Sequence, residues 1–257
     1  MVVPSYLNYF SRGIDSSPLK SNFCYHCFIL GEPVIPLVDM GFAISATAIN
    51  SREHFRKMQE VIKTFVDKYG SQRIAYSVLT FGSNPTISVR FSDAANGDEV
   101  LMSIINNIPQ NEARASLDKA LHGAKELFKD SNGARKDAMK VLVVITDEKS
   151  DSLEQEVKKA AQRLDENDIR VIGIALGDGS DGELEGITDI ESDVINTTDS
   201  TSPEKIVEKV VEQVLNSKFL SNVFYFVCRT GDHISNIRRS FFKQIQHLFA
   251  SAQIHSL

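Results

Sequence analysis

Three short runs, Ile74-Ala75-Tyr76-Ser77-Val78-Leu79, Val141-Leu142-Val143-Val144-Ile145 and Val171-Ile172-Gly173-Ile174-Ala175-Leu176, are almost wholly apolar, and they constrain the fold more than any other feature of the chain. A strand with one wet face alternates apolar and polar residues, whereas a near-continuous apolar run marks a strand covered on both faces. The segments between the runs have the helical period instead. Phe55, Met58, Val61, Ile62, Phe65 and Val66 fall on one stripe, with charge on the opposite side, and Leu117, Leu121, Ala124 and Leu127 do the same within 116–129. Buried strands alternating with amphipathic helices imply a parallel sheet with helices on both faces.

Strands are expected at 39–45, 73–81, 86–91, 140–146, 170–176 and 193–196. Gly82-Ser83-Asn84-Pro85 reads as a turn joining the second and third of these into a hairpin. The expected fold is therefore α/β and doubly wound, with a mostly parallel six-stranded sheet and one antiparallel edge strand. Ser152 is read as the N-cap of a helix over 153–167, with Glu154 and Glu156 complementing its dipole. Ser202 precedes Pro203 at a first helical position, and 204–215 closes the domain. A short helix is expected around 184–187.

At 257 residues the chain holds one full-sized α/β domain with extensions. The divisions read are 1–37, a poorly ordered extension; 38–216, the domain; and 217–257, a basic amphipathic extension. The net charge of −6 is uneven, with an acidic excess of about ten in 38–216 and a basic excess of about four beyond it. An acidic domain is a poor match for phosphates, so nucleic acid is not an expected partner. In the last segment Ile234, Ile237, Phe241, Phe242, Ile245 and Phe249 recur at helical spacing, a pattern suited to packing or to a membrane or partner surface. The apolar stretch 219–228 is too short to span a bilayer, which takes about 20 residues. No secretory leader is expected at Met1, because Pro4, Tyr9, Ser11 and Arg12 interrupt any apolar stretch.

Cys24-Tyr25-His26-Cys27 has the spacing of half a zinc site but no matching second pair, and the third cysteine, Cys228, stands alone. A disulfide tying the two ends is the expectation in an oxidising compartment.

The first strand, Asp39-Met40-Gly41-Phe42-Ala43-Ile44, leads into Ser45-Ala46-Thr47-Ala48-Ile49 and then a long amphipathic helix. Arg73 through Gly82 ends in Phe81-Gly82, Ser116-Leu117-Asp118-Lys119-Ala120-Leu121 opens a helix, and the strand at 141–145 runs into Thr146-Asp147-Glu148-Lys149-Ser150-Asp151. Taken together and in this order, over about 38–216, these segments resemble the von Willebrand factor type A family. The resemblance implies a Rossmann-like fold and a Mg²⁺ or Mn²⁺ site that takes Asp-x-Ser-x-Ser from the first loop, a Thr from a second and an Asp from a third.

Mapped onto this chain, those positions are Ser45, Thr47, Ile49, Ala115 and Asp147. Thr47 and Asp147 keep oxygen donors, and Ser45 is a neutral substitute. A hard dication wants several oxygen ligands, so Mg²⁺ or Mn²⁺ would depend mostly on water. The expectation is a remnant site in which Ser45 and Thr47 hydrogen-bond loop backbone and Asp147 satisfies nearby amides. The resemblance also implies a non-enzymatic, extracellular module. Its partner would be a matrix or cell-surface protein, docking on an edge that includes Ala48, Ile49, Asn50, Ala115, Ser116 and Glu148. The alternative is an intracellular scaffold whose C-terminal helix meets a membrane or another subunit.

Other motifs weigh less. Gly177-Asp178-Gly179-Ser180-Asp181-Gly182 matches G-x-G-x-x-G, but it lies late in the sheet and is acidic where a pyrophosphate would approach. His26, His54 and His122 lie in different segments and form no catalytic constellation, with His54 and His122 read as surface or partly buried helix residues. Asn196-Thr197-Thr198 is a glycosylation acceptor if the protein is secreted.

Overall fold

The computed structural model describes residues 37–47, 52–110, 114–177, 181–188 and 193–215. The readings of the three cysteines, of the two extensions and of Ala48, Ile49 and Asn50 lie outside this set. In chain order the elements are β1 (Val38–Ser45), α1 (Arg52–Tyr69), β2 (Ile74–Phe81), β3 (Pro85–Val89), α2 (Asp98–Asn106), α3 (Leu117–Leu127), β4 (Met139–Thr146), α4 (Glu154–Asp165), β5 (Ile169–Leu176), α5 (Asp181–Leu184), β6 (Val194–Thr197) and α6 (Pro203–Leu215). The six strands form one sheet in the order β3-β2-β1-β4-β5-β6. All neighbours are parallel except β2 and β3, the hairpin at the edge. The anticipated doubly wound sheet is what the chain forms.

Alternation along β1 assigns the helices to faces. Met40, Phe42 and Ile44 point into a cluster with Phe55, Met58, Ile62 and Phe65 of α1, Leu101 and Ile105 of α2, and Ile206 and Val210 of α6. Ala43 points the other way, with Leu79 and Val144, toward Leu121 and Ala124 of α3, Val157 and Leu164 of α4, and Leu184 of α5. The small residues on that second face admit the helix closely. A Cβ on Gly41 would stand 3.0 Å from Phe128 Cζ.

Two buried ion pairs hold the strand ends opposite the C-terminal edge. Asp39, fully buried, accepts from the backbone amide of Arg135 at 2.6 Å and from its Nε at 2.7 Å. The same guanidinium donates to the carbonyls of Val38 and Arg73, fastening β1 to the start of β2. Arg170 pairs with Asp193 at 2.7 and 3.0 Å, joining β5 to the start of β6.

Several boundaries differ from expectation. β3 stops at Val89, because Phe91 turns inward at the head of a 3₁₀ turn, Phe91–Asn96, to pack against Phe128. The short helix α5 starts at Asp181, ahead of the expected 184–187. Ser152 is not the cap of α4. Leu153 occupies that position, and the Ser152 hydroxyl donates instead to Asp118 at 2.6 Å.

Gly133 follows a 3₁₀ turn, Asp130–Asn132, with φ +84°, and a Cβ there would stand 2.5 Å from the backbone nitrogen of Ser92. Both the left-handed backbone and the collision with main chain oppose any side chain. Gly133→Ala is expected to lower the melting temperature by about 4 °C or more in a thermal melt.

Candidate functional site

After β1 the chain crosses to one face through α1, and after β4 it crosses to the other through α4. β1 and β4 are adjacent, so the strand order reverses between them. In open α/β sheets the crevice outside the carboxyl ends of strands at such a reversal is where ligands bind. Ser45 and Thr47 lie at this end of β1, and Asp147 follows β4. The fold thus brings together the three residues of the expected remnant site, across a hundred positions of sequence.

What surrounds them was not foreseen. Thr47, fully buried, donates its hydroxyl to Glu148 Oε1 at 2.7 Å. Asp147, whose side chain is only 3% exposed, faces His54 from the first turn of α1, with Oδ2 2.9 Å from Nδ1. The other ring nitrogen of His54 stands 3.1 Å from Asp199 Oδ1, in the loop between β6 and α6. A neutral imidazole has one N–H, so a ring facing two carboxylates is satisfied only when both nitrogens carry protons.

Burial opposes the charge on His54. The hydrogen bonds and negative charges of Asp147 and Asp199 outweigh it and hold the ring's pKa above its ordinary value. Burial also raises the Asp147 carboxyl, with the bond and charge of His54 working in the opposite direction. Lys57, one turn further along α1, donates to the carbonyls of Thr198 and Asp199 at 2.9 and 3.0 Å. The first helix therefore grips the loop before the last helix at two points.

The donor set does not fit a resident Mg²⁺ or Mn²⁺. Ser45 is neutral, Ala115 has no side-chain oxygen, the Thr47 hydroxyl is engaged with Glu148, and one Asp147 oxygen faces His54. Asp147 Oδ1 is buried without a hydrogen-bond partner among the described residues. One such oxygen falls well short of the near-octahedral shell these ions require. Among the described residues no group of three or more His, Cys, Asp or Glu is arranged to hold a metal.

Of the expected docking edge, Ser116 and Glu148 are half-buried, while Ala115 is buried at 2% exposure and presents little surface. The three loops around them are stitched together. Ser116 N donates to Gly82 O at 2.9 Å and Asp151 N to Ala115 O at 3.1 Å. Asp118 accepts from the hydroxyls of Ser116 and Ser152, which hold its carboxyl below the usual range against the opposing pull of burial. Ser150 bonds to Glu183 through both its amide and its hydroxyl.

Beside this network lies an open groove of about 390 Å³, lined by Ser83, Arg114, Ser116, Lys119, Asp151 and Leu153 among others. Leu153 is 73% exposed, a large apolar side chain facing solvent. Arg114 reaches across the groove to Asp151 at 3.2 Å. Sequence reading missed the groove because nothing local marks Leu153 as exposed within an amphipathic pattern.

Asn196 is exposed on β6. The glycine-rich motif falls mostly outside the described residues. Gly177, its first residue, follows β5 with φ +78°, and a Cβ there would stand 3.9 Å from His54 Cε1. His122 sits on α3 beside Arg163 of α4, at 3.1 Å. Among the described residues no helix is long and apolar enough to cross a membrane.

Comparison with known proteins agrees with this geometry. The model of the von Willebrand factor type A domain matches residues 39–212. Integrin alpha-M of Mus musculus is 28% identical over 110 residues, which is 42% of this chain and 10% of that protein, so the chain spans only a small part of this curated relative. Among solved structures, proximal thread matrix protein 1 from the mussel byssus superposes with a TM-score of 0.60 at 19% identity, covering 68% of this chain and 47% of that one. The same mussel protein has also been solved with a zinc-occupied MIDAS motif. BatB from Bacteroides thetaiotaomicron superposes with a TM-score of 0.54 at 14% identity, covering 69% of this chain and 98% of that one. At such identities the structural matches speak to the fold alone.

Proposed function

This chain belongs to the von Willebrand factor type A domain family, and from that premise we propose that it is a non-enzymatic protein-binding module of the adhesion type. In this reading it works outside the cell, on a matrix or cell-surface protein, without needing a divalent ion. The carrying observation is the C-terminal edge of the sheet. Three loops are braced into a fixed surface there, beside an open groove with Leu153 exposed and Arg114 and Asp151 at its rim.

An exposed apolar side chain ringed by polar groups is the form that protein-binding hot spots take. The curated relatives support the same reading, since an integrin is among them. The sugar acceptor Asn196 faces solvent at the end of the sheet, which is compatible with secretion.

The reading is tested by surface plasmon resonance of the full chain against a panel of purified matrix proteins, in buffer with EDTA. Binding is expected to persist in EDTA and to weaken by about tenfold or more in Leu153→Asp, the effect of losing one hot spot. Lys209→Glu, exposed on α6 on the opposite face of the sheet, serves as control and should leave affinity unchanged. Failure of every panel protein to bind, or binding indifferent to Leu153→Asp, would remove the proposed docking edge.

A further inference from the structure

We propose that His54 stands in for a bound cation: the ring clamps Asp147 to Asp199 and holds the crevice between β1 and β4 in shape with a side chain of the chain's own. This deepens the ion-independent part of the reading above and rests on it for the consequence that partner capture needs no metal. The structural claim itself can be tested without any partner.

Three observations converge on the ring. Asp147 is almost completely buried, and the hydrogen-bond partner given to its Oδ2 is a cation-forming group, His54, from a different element. A buried carboxylate without such a partner is strongly disfavoured, so something must stand opposite it. The ring is also engaged on its second nitrogen by Asp199, so it joins the end of β4 to the end of β6, as a bridging group must. Finally, the other positions that the family resemblance maps to the metal site supply no charged ligand. Ser45 and Ala115 bring no charge, and the Thr47 hydroxyl is turned to Glu148.

The other charged groups around the ring among the described residues fit this account. Lys57, on the same helix, is occupied by the carbonyls of Thr198 and Asp199, and Glu148 is occupied by Thr47. Neither competes for His54 or neutralises Asp147. The imidazole meets Oδ2 of Asp147, while Oδ1 is buried with no hydrogen-bond partner among the described residues.

His54 is thus a positioning residue, acting through Asp147 and Asp199. A purely structural histidine and an ion surrogate make different predictions, because only the surrogate can be replaced by an ion. The experiment is a thermal melt of the full chain in EDTA, in Mg²⁺ and in Mn²⁺, the ions at about 5 mM. The wild type is expected to melt at the same temperature in all three.

His54→Ala should melt lower in EDTA and regain about 2–4 °C in Mn²⁺, as the ion takes the place of the ring between the carboxylates of Asp147 and Asp199, with water completing its shell. The double variant His54→Ala/Asp147→Asn should show no regain. If His54→Ala does not fold, His54→Leu carries the same test, since it keeps much of the side-chain volume but offers neither carboxylate a donor. A wild-type melting temperature that rises with Mn²⁺ and loses that rise in Asp147→Asn would overturn the proposal. So would a destabilised His54 variant indifferent to both ions. Either failure leaves the protein-binding reading standing, because that reading is measured by Leu153 and a partner rather than by ions.

Discussion

Arg135→Ala is expected to be among the most damaging single substitutions in this domain, costing about 3–5 kcal/mol. Its partner Asp39 is fully buried in the second position of β1, and Arg135 is the group that neutralises it, through Nε at 2.7 Å. Removing the guanidinium leaves a charge inside a sheet covered on both faces. It also strips hydrogen bonds from the carbonyls of Val38 and Arg73. The side chain of Arg135 is 28% exposed, which places the expected loss toward the lower end of that range, and the melting temperature should fall by about 10 °C. Adding Asp39→Asn should recover a measurable part of the loss, because a neutral amide is cheaper to bury than an unpaired carboxylate. If Arg135→Ala melts with the wild type, the pair is not holding this end of the sheet.

Phe65→Ala should cost about 3–5 kcal/mol by a different route, the cavity left in a close-packed core. Phe65 is fully buried on the inner stripe of α1, its ring 5.5 Å from Phe42 of β1 and 6.0 Å from Tyr69. Its carbonyl accepts the hydroxyl of Tyr76 at 3.1 Å, so a shift of α1 into the cavity would also strain a buried hydrogen bond on β2. Tyr76 is itself fully buried, and burial drives its phenol well above the ordinary value, so it serves as a neutral donor at any physiological pH. The loss should show in urea unfolding as a lower midpoint with an unchanged slope. A lowered slope would mean that the native state had loosened around the cavity.

The fold was legible because its strands declare themselves. β2, β4 and β5 are apolar at nearly every position, and nothing but a doubly covered sheet accommodates that pattern. The stripe of α1 was equally plain. α2 was not, since only Leu101 and Ile105 of its nine residues are buried while Val100 is 43% exposed, so no clean face stands out in the sequence.

The site was legible in part. Mapping by family resemblance placed Ser45, Thr47 and Asp147 together, as the structure does. It could not place His54, which is 93 residues from Asp147 in sequence and meets it only because α1 and β4 flank the reversal in strand order. A usable signal did exist. A carboxylate at a mapped position whose neighbouring mapped positions carry no charge needs a partner, and a histidine in the first turn of the helix after β1 was the candidate. The same logic applies to Asp39, a carboxylate inside an apolar strand, whose partner lies 96 residues away.

The central position of β1 has a consequence for how the protein is made. One edge of β1 is covered by β2 soon after it leaves the ribosome, but the other pairs with β4, whose Met139 meets Val38 only after roughly a hundred further residues have been synthesised. During that interval a wholly buried strand, VDMGFAIS, offers an unpaired edge to whatever is near. Chains halted before β4 should therefore be those most dependent on chaperones, and release from them should coincide with the emergence of residue 146.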